Sequence, residues 1–503
     1  MMARFPGGRV MTQAGAGNRI HFDESRATDR GGSVSMGGLF GVASSSDCVS
    51  DLYYGTDYHS HLGTQRGGLA VFSKDSGFDR IIHDIRNSQF RSKFDPDLSR
   101  LKGSTGIGII SDFDDQPLVI GSRLGPFAIA TVGRINNARA LVDRACAERA
   151  SHFCEMNRGE INPTEVAASL ISSGADFAAG IRALQEAGDG SLSLLILSPD
   201  GIIAARDLRG RTPLVIGSRA GARAVASESC AFANLDYRLE RELGPGEIVR
   251  ITPSGVEVLA GPVDGMKICA FLWVYYGFPS SSYEGRNAED ARNECGAALA
   301  RREDAAEPDV VAGIPDSGIG HGIGYASEAG IPYRRPFCKY TPTWPRSFMP
   351  QNQQVRDLVA RMKLIPIPEI INGKSLLFCD DSIVRGTQLK DTIKRLHAYG
   401  AREVHMRVAC PPLLFGCPYL NFSRSKSALD LIGRKMIAEA TGKEDSVPDA
   451  YLDTSSPEYR AMVDRIGKWL GLTSLRYQRI DDLVDAIGLP KEKLCLYCWT
   501  GKE

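Results

Sequence analysis

The 503-residue sequence predicts two unlike domains in tandem, a layered α+β domain over residues 37–262 and a parallel-sheet α/β domain over 263–470. Three observations predict this. In the first half, strand-like runs are followed by helical stretches and then by strands again, which is the order of a layered α+β fold. Past residue 263, helices alternate with short apolar runs, the pattern of a parallel sheet wound with helices. The chain is also longer than one hydrophobic core normally serves.

Residues 1–36 read as a flexible tail rich in Gly, Ser, Arg and Asp. The tail has no apolar central region, so a secretory signal is not expected, and Asp23, Glu24 and Asp29 disfavour a mitochondrial presequence. Regular patterning starts at Gly37-Gly38-Leu39-Phe40-Gly41-Val42. Strand-like runs follow at Gly68–Phe72, Gly106–Ile110, Phe127–Val132, Leu192–Leu197 and Gly201–Ala205. Helical stretches lie near Thr164–Ser172 and Ala178–Ala187. The Pro-Gly turn within Leu243–Val249 closes this domain, and Gly261–Gly265 reads as a linker. Apolar strands are then expected at Val310–Ile314, Ile331–Tyr333, Ser375–Phe378 and Glu403–Val408. Leu389, Ile393 and Leu396 give Gln388–Tyr399 helical spacing. A C-terminal segment, 471–503, holds a short helix at Asp481–Ile487 and then Cys495-Leu496-Tyr497-Cys498.

Charge is balanced, with 60 basic against 60 acidic residues, which offers no electrostatic argument for nucleic acid or a membrane surface as partner. No run has the apolar length of a membrane span. Twelve cysteines over this length do not form a small disulfide framework, so a reducing, cytoplasmic setting is expected.

The chemistry concentrates at Phe378-Cys379-Asp380-Asp381-Ser382-Ile383-Val384-Arg385-Gly386-Thr387. A strand ends in two carboxylates, and a compact loop leads into a helix. Loop amides and a helix N-terminus suit a phosphate. The carboxylates suit a ribose diol and a hard divalent ion. Taken alone, adjacent acids at a strand end are equally a solvated turn. A second run, Val311-Ala312-Gly313-Ile314-Pro315-Asp316-Ser317-Gly318, again ends in an acid, a hydroxyl and glycine, compact enough for amides to approach a pyrophosphate.

The run D-D-S-I-V-R-G-T is similar to the phosphoribosyl pyrophosphate (PRPP) loop of type I phosphoribosyltransferases. More narrowly, the sequence resembles the glutamine PRPP amidotransferase family over about residues 37–503. The resemblance implies an N-terminal-nucleophile hydrolase-like domain of αββα layers followed by a type I phosphoribosyltransferase domain. It also implies that Asp316, Ser317 and Gly318 form the pyrophosphate loop, and that Ser317, Asp380 and Asp381 surround Mg2+. Ser382, Arg385, Gly386 and Thr387 would cradle the 5-phosphate. The segment Lys339–Lys363 resembles the family's mobile lid, with Lys339 and Arg346 as cations facing a leaving pyrophosphate. Its tip, Tyr340-Thr341-Pro342-Thr343-Trp344-Pro345, is longer and stiffer than the family pattern.

The first domain departs from the family at its reactive positions. Gly37 stands where the family has its nucleophilic cysteine and carries no thiol. Leu62 and Ser111 replace two arginines, and Asn162-Pro163-Thr164-Glu165 lacks the family's aspartate. Val132 replaces the oxyanion-hole asparagine, a loss of about 10²–10³ in rate by itself. Cys48, the nearest downstream thiol, is not placed to act as an N-terminal nucleophile. Meanwhile the scaffold segments Leu194–Asp200, Ala205-Arg206-Asp207 and Ser227-Glu228-Ser229-Cys230 look familial. The expectation is a domain without glutaminase activity.

Cys495 and Cys498, with Cys269 and Cys417, make four candidate thiolate ligands for a [4Fe–4S] cluster or tetrahedral zinc. Each sits where the Fe–S subgroup of the family has a ligand, which implies the cluster. The expected activity is transfer of ammonia, free or from a separate glutaminase, to PRPP. Alternatives are a paralogue using another amine or nucleophile, and a non-catalytic PRPP or nucleotide sensor. A homo-oligomer, dimer or tetramer, is expected from the resemblance.

Overall fold

The structure is a computed structural model that describes residues 37–112, 114–147, 153–154, 156–157, 160–303, 306–340, 364–420 and 427–503. The expected tail, Arg346 and the rest of the lid segment from 341 to 363 lie outside the described residues.

In the first half, period-two alternation builds two antiparallel sheets. Along Gly38–Ser44, Leu39 and Ala43 face one core while Phe40 and Val42 face another. This strand is central in a seven-stranded sheet whose order is 238–242, 215–219, 222–226, 38–44, 105–111, 66–73, 77–84. A six-stranded sheet has the order 256–260, 248–251, 201–205, 190–198, 125–135, 118–122. Leu39, Ile107 and Ile109 of the first sheet pack with Ala130, Leu195 and Ile202 of the second in one fully buried cluster. The sheets are therefore stacked face to face. Val49–Asp57 covers the outer face of the larger sheet through Leu52 and Tyr53. Pro163–Ser173 and Phe177–Ala187 cover the other through Val166, Ile171, Ile181 and Leu184. The layers run helix, sheet, sheet, helix.

The second half carries a four-stranded parallel sheet in the order 310–313, 375–380, 403–408, 474–477. Leu376 and Phe378 enter one core and Leu377 and Cys379 another, so both faces are covered, as parallel sheets require. Two expectations need correction. Ile331–Tyr333 is no strand but a single bridge, Tyr333 opposite Val311. Pro332 accepts from Val311 N–H (3.1 Å) but has no N–H with which to extend a ladder. The C-terminal segment beyond 470 also supplies the sheet's fourth strand, Ser474–Tyr477. Its four residues, with only Leu475 and Tyr477 buried, are too few to show a period. Among the described residues no helix is long and apolar enough to cross a membrane.

The helices Ala288–Arg301 and Ile319–Ala329 pack at very close range because glycines meet backbone. A Cβ on Gly296 would lie 1.9 Å from His321 O, and one on Gly324 1.9 Å from Asn293 O. Gly296→Ala is expected to destabilise the protein by about 1–3 kcal/mol despite alanine's better helix propensity, read as a lower midpoint in denaturant or thermal unfolding.

Candidate active site

The parallel sheet aims two strand ends at one place. Val310–Gly313 leads into Pro315-Asp316-Ser317-Gly318, and Ser375–Asp380 leads into Asp381 and the following loop. The two loops are held together at backbone distance. Ile314 N–H donates to Cys379 O at 2.9 Å, and a Cβ on Gly318 would lie 2.0 Å from that same oxygen. Only glycine permits the approach. Across this seam Ser317 Oγ donates to Asp380 Oδ1 at 2.8 Å, and Asp381 N–H donates to the same oxygen at 3.0 Å. Ser382 Oγ donates to Asp381 Oδ1. Ser317, Asp380, Asp381 and Ser382 are thus brought together.

Both carboxylates are buried, at 9% and 6% exposure, and burial disfavours their charged forms. Burial first, and then the charge of Asp381, push Asp380 well above the usual carboxylate range. Burial raises Asp381 to about 6, against hydrogen bonds from Ser382 and Ser317 and the charge of Arg292. The two titrate as a pair. Oxygen donors facing each other in a buried corner are the chemistry of a hard divalent ion, which commonly takes one or two carboxylates and leaves its other positions to water and phosphate. The residues therefore fit Mg2+.

The other predicted residues fall as follows. Lys339 ion-pairs with Asp316 over the first loop. Gly386, at φ +72°, caps the helix Thr387–Ala398, and no described side chain caps that N-terminus. Its amides are free in the manner that suits phosphate. A Cβ on Gly386 would lie 3.1 Å from Trp469 and from Ile432, so the loop rests on a packed floor. Arg385 is turned instead to Asp430, with Nη2 3.1 Å from Oδ2. Arg292 was not singled out by sequence reasoning. It is an ordinary helix residue by pattern, and only folding brings its charge to bear on Asp381.

In the first half Gly37, Leu62 and Val132 lie together. Gly37, at φ +82°, donates its N–H to Leu62 O at 2.8 Å. A Cβ there would stand 2.9 Å from Ile110 O and 3.2 Å from Val132 Cγ2. Val132 thus fills the space that a side chain at 37 would need. Asn162 serves as the N-cap of Pro163–Ser173, accepting from Thr164 N–H. The thiols of Cys48 and Cys230 are buried, and burial pushes both well up, which is the opposite of nucleophile activation.

The four candidate ligand cysteines act on one another. Cys269 and Cys495 are register partners in a two-stranded parallel pairing of Ile268–Cys269 with Leu494–Cys495. A hydrogen bond from Cys498 holds Cys417 down to about 6, and Leu420 N–H donates to Cys417 Sγ at 3.4 Å. Cys417 and Cys495 both raise Cys269 after burial does. Among the described residues no group of three or more His, Cys, Asp or Glu is arranged to hold a metal ion.

No protein-family model matches the sequence. Curated relatives do. The chloroplastic amidophosphoribosyltransferase of Vigna aconitifolia is 31% identical over 456 residues, 88% of this chain and 86% of its own. That of Methanothermobacter thermautotrophicus is 31% identical over 492 residues, 95% of each chain. Among solved structures, the glutamine PRPP amidotransferase from B. subtilis complexed with ADP and GMP superposes with a TM-score of 0.79 at 29% identity. It covers 92% of this chain and 96% of that one. By fold and relatives the chain is a phosphoribosyltransferase. It belongs to the amidophosphoribosyltransferase family.

The carboxylate pair sets a pH-dependent cost. Because its folded pKa lies above its unfolded value, Asp381 binds a proton more tightly in the folded state. Its contribution is therefore lost as pH rises from 3.8 to about 6, and stays lost above that. Asp381→Asn is expected to stabilise the metal-free protein at pH 7.5 by on the order of 1–3 kcal/mol, and by little at pH 4, while abolishing pyrophosphate release. Chelator-treated samples melted at both pH values check the sign.

Proposed function

We propose that this chain transfers ammonia to PRPP, giving 5-phosphoribosylamine and pyrophosphate, and has no glutaminase activity of its own. One observation carries the first part: Asp380 and Asp381, buried side by side and bridged by Ser317 to the neighbouring glycine-rich loop. Asp380, Asp381 and Ser317 would hold Mg2+, which when bound supplies positive charge to the pyrophosphate as it leaves. The carboxylates also accept from the ribose diol and so orient the anomeric carbon. Asp316 and Ser317 present backbone amides to the pyrophosphate, Gly318, whose own N–H is taken by Ile314 O, holds the loop compact, and Lys339 adds a cation as charge develops on the leaving group. Ser382, Gly386 and Thr387, with the free amides of the helix N-terminus, take the 5-phosphate. Arg385 joins them if it leaves Asp430, and Arg346 would act from the lid. Ammonia is already a nucleophile, so rate comes from positioning and water exclusion rather than from a strong base.

The loss of glutamine hydrolysis rests on Gly37 and Val132: no thiol at the nucleophile position, an apolar side chain in its space. Ammonia is then free or delivered by a separate glutaminase. Cys269, Cys417, Cys495 and Cys498 are proposed to hold a [4Fe–4S] cluster; their all-sulfur donor set supports it, while among the described residues no three of them are already arranged around a common metal position. The family resemblance supports a homo-oligomer, dimer or tetramer, and twelve cysteines without a disulfide framework support a reducing, cytoplasmic setting.

The test is pyrophosphate release by anaerobically purified protein with PRPP and Mg2+, comparing ammonium with glutamine. Turnover with ammonium alone is the expected outcome. Turnover with glutamine overturns the reading of the first half. Release with another amine only supports the paralogue reading, and tight PRPP binding without turnover supports a sensor. Gly37→Cys is expected to lower the melting temperature and to release no glutamate from glutamine, because the added Cβ meets Ile110 O and Val132 and no oxyanion donor stands at 132.

A further inference from the structure

A buried carboxylate from the first half is the focus of bonds from the second. Glu228 follows the strand Ala222–Ala226 and is 1% exposed. Its Oε1 accepts from Tyr283 Oη at 2.6 Å and from Phe278 N–H at 3.2 Å. Its Oε2 stands 2.8 Å from His61 Nε2 and 3.5 Å from both Ser281 Oγ and Cys230 Sγ. Burial alone would push Glu228 up, but His61 and Tyr283 bring it down to about 2, so the carboxylate is ionised. Around it, Ser229 Oγ accepts from Ser282 N–H at 2.9 Å, and Glu242 accepts from Glu284 N–H at 2.7 Å. Segment 278–284 is therefore held by acids and hydroxyls of the first half.

What that segment supports lies in the transferase site. It leads directly into the helix Ala288–Arg301, whose first turn it caps: Ala288 N–H donates to Ser281 O and Glu289 N–H to Pro279 O. The buried Arg292 of this helix donates to Trp273 O, Tyr275 O and Gly277 O at 2.9, 2.8 and 2.7 Å. Those carbonyls fix its guanidinium without neutralising it. Glu289 lies against Gly320 at the start of the helix that follows Ser317 and Gly318.

We propose that Glu228 is a positioning residue for PRPP: through 278–284 and the helix Ala288–Arg301, which carries Glu289 and Arg292, it sets the disposition of the loop 315–318 and, across the Ser317–Asp380 bond, of the carboxylate pair. This rests on the transferase reading and gives the first half a task independent of glutamine. Glu228→Gln keeps the side chain's length and a carbonyl for Tyr283 and Phe278, but it removes the negative charge and puts an NH2 group, a donor, where Oε2 faces His61 Nε2, Ser281 Oγ and Cys230 Sγ.

The experiment measures PRPP KM and kcat with ammonium, melting temperature, and amide hydrogen exchange of residues 375–387 in the full chain. For Glu228→Gln the expectation is a rise in KM of about tenfold, a much smaller change in kcat, and faster exchange at 375–387 with 190–205 still protected. Tyr283→Phe, which removes one bond, shifts KM the same way by less. Combining Glu228→Gln with Arg292→Lys raises KM by less than the product of the single effects, since both act along one path. A lower melting temperature with unaltered KM and unaltered exchange at 375–387 overturns the proposal and makes Glu228 a purely structural residue. Wild-type protein that neither binds PRPP nor releases pyrophosphate overturns the transferase reading instead, and the exchange result then still decides whether Glu228 controls the loop.

Discussion

Two carboxylates forced together in a buried corner are the constraint on which the rest of this molecule turns. Asp380 and Asp381 end the strand Ser375–Asp380 where desolvation and mutual repulsion both oppose their ionisation. A fold keeps such a pair only if its surroundings leave it no escape. Here Phe378 and Cys379 anchor the strand in two cores. Gly318 lets the neighbouring loop close to backbone distance, and Ser317 and the Asp381 amide both donate to the same Asp380 oxygen. The corner opposes the charged form of both acids, and the Mg2+ proposed to bind there would favour it.

The first half shows the reverse economy. Its polar groups satisfy one another. Gln116 Oε1 accepts from Thr131 N–H at 2.7 Å, Thr131 and Thr164 hydroxyls lie 2.7 Å apart, and Asn162 caps a helix. At position 37, where chemistry would start, there is backbone and the side chain of Val132. Yet this half is bound into the molecule through buried arginines whose acid partners are partly exposed. Arg206, with no exposed surface, reaches Glu284 at 2.7 Å. Arg211 pairs with Glu503 and lies 3.7 Å above the ring of Tyr419. Removing one partner of a buried charge pair leaves the other uncompensated, which ties the first half to the second whatever its own activity.

Much of this was legible in the sequence, for identifiable reasons. Strands with clean alternation or continuous apolar runs, such as Leu192–Leu197 and Glu403–Val408, announced themselves, and the helix after Gly386 followed from Leu389, Ile393 and Leu396. The Asp380–Asp381 and Pro315–Gly318 loops stood out through their resemblance to the family's PRPP and pyrophosphate motifs, since acids or glycines at a strand end are by themselves equally an ordinary turn. What escaped was short or non-local. Ser474–Tyr477 alternates, with Leu475 and Tyr477 buried, but over only four residues, too short a run to stand out. Ile331–Tyr333 looked like a strand until Pro332 removed a donor. The pairing of Arg385 with Asp430, 45 positions away in sequence, has no local signal. Glu228 and Arg292 had no local signature at all, since their partners are assembled only by the fold.

The most direct test of the account is a calorimetric titration of PRPP into the protein, with and without Mg2+, in two buffers of different ionisation enthalpy at pH 6. If the buried pair holds protons until a metal and sugar pyrophosphate arrive, binding requires Mg2+ and releases protons, and both features vanish in Asp380→Asn. Binding that is indifferent to Mg2+, or that moves no protons, would contradict the central place given to this pair.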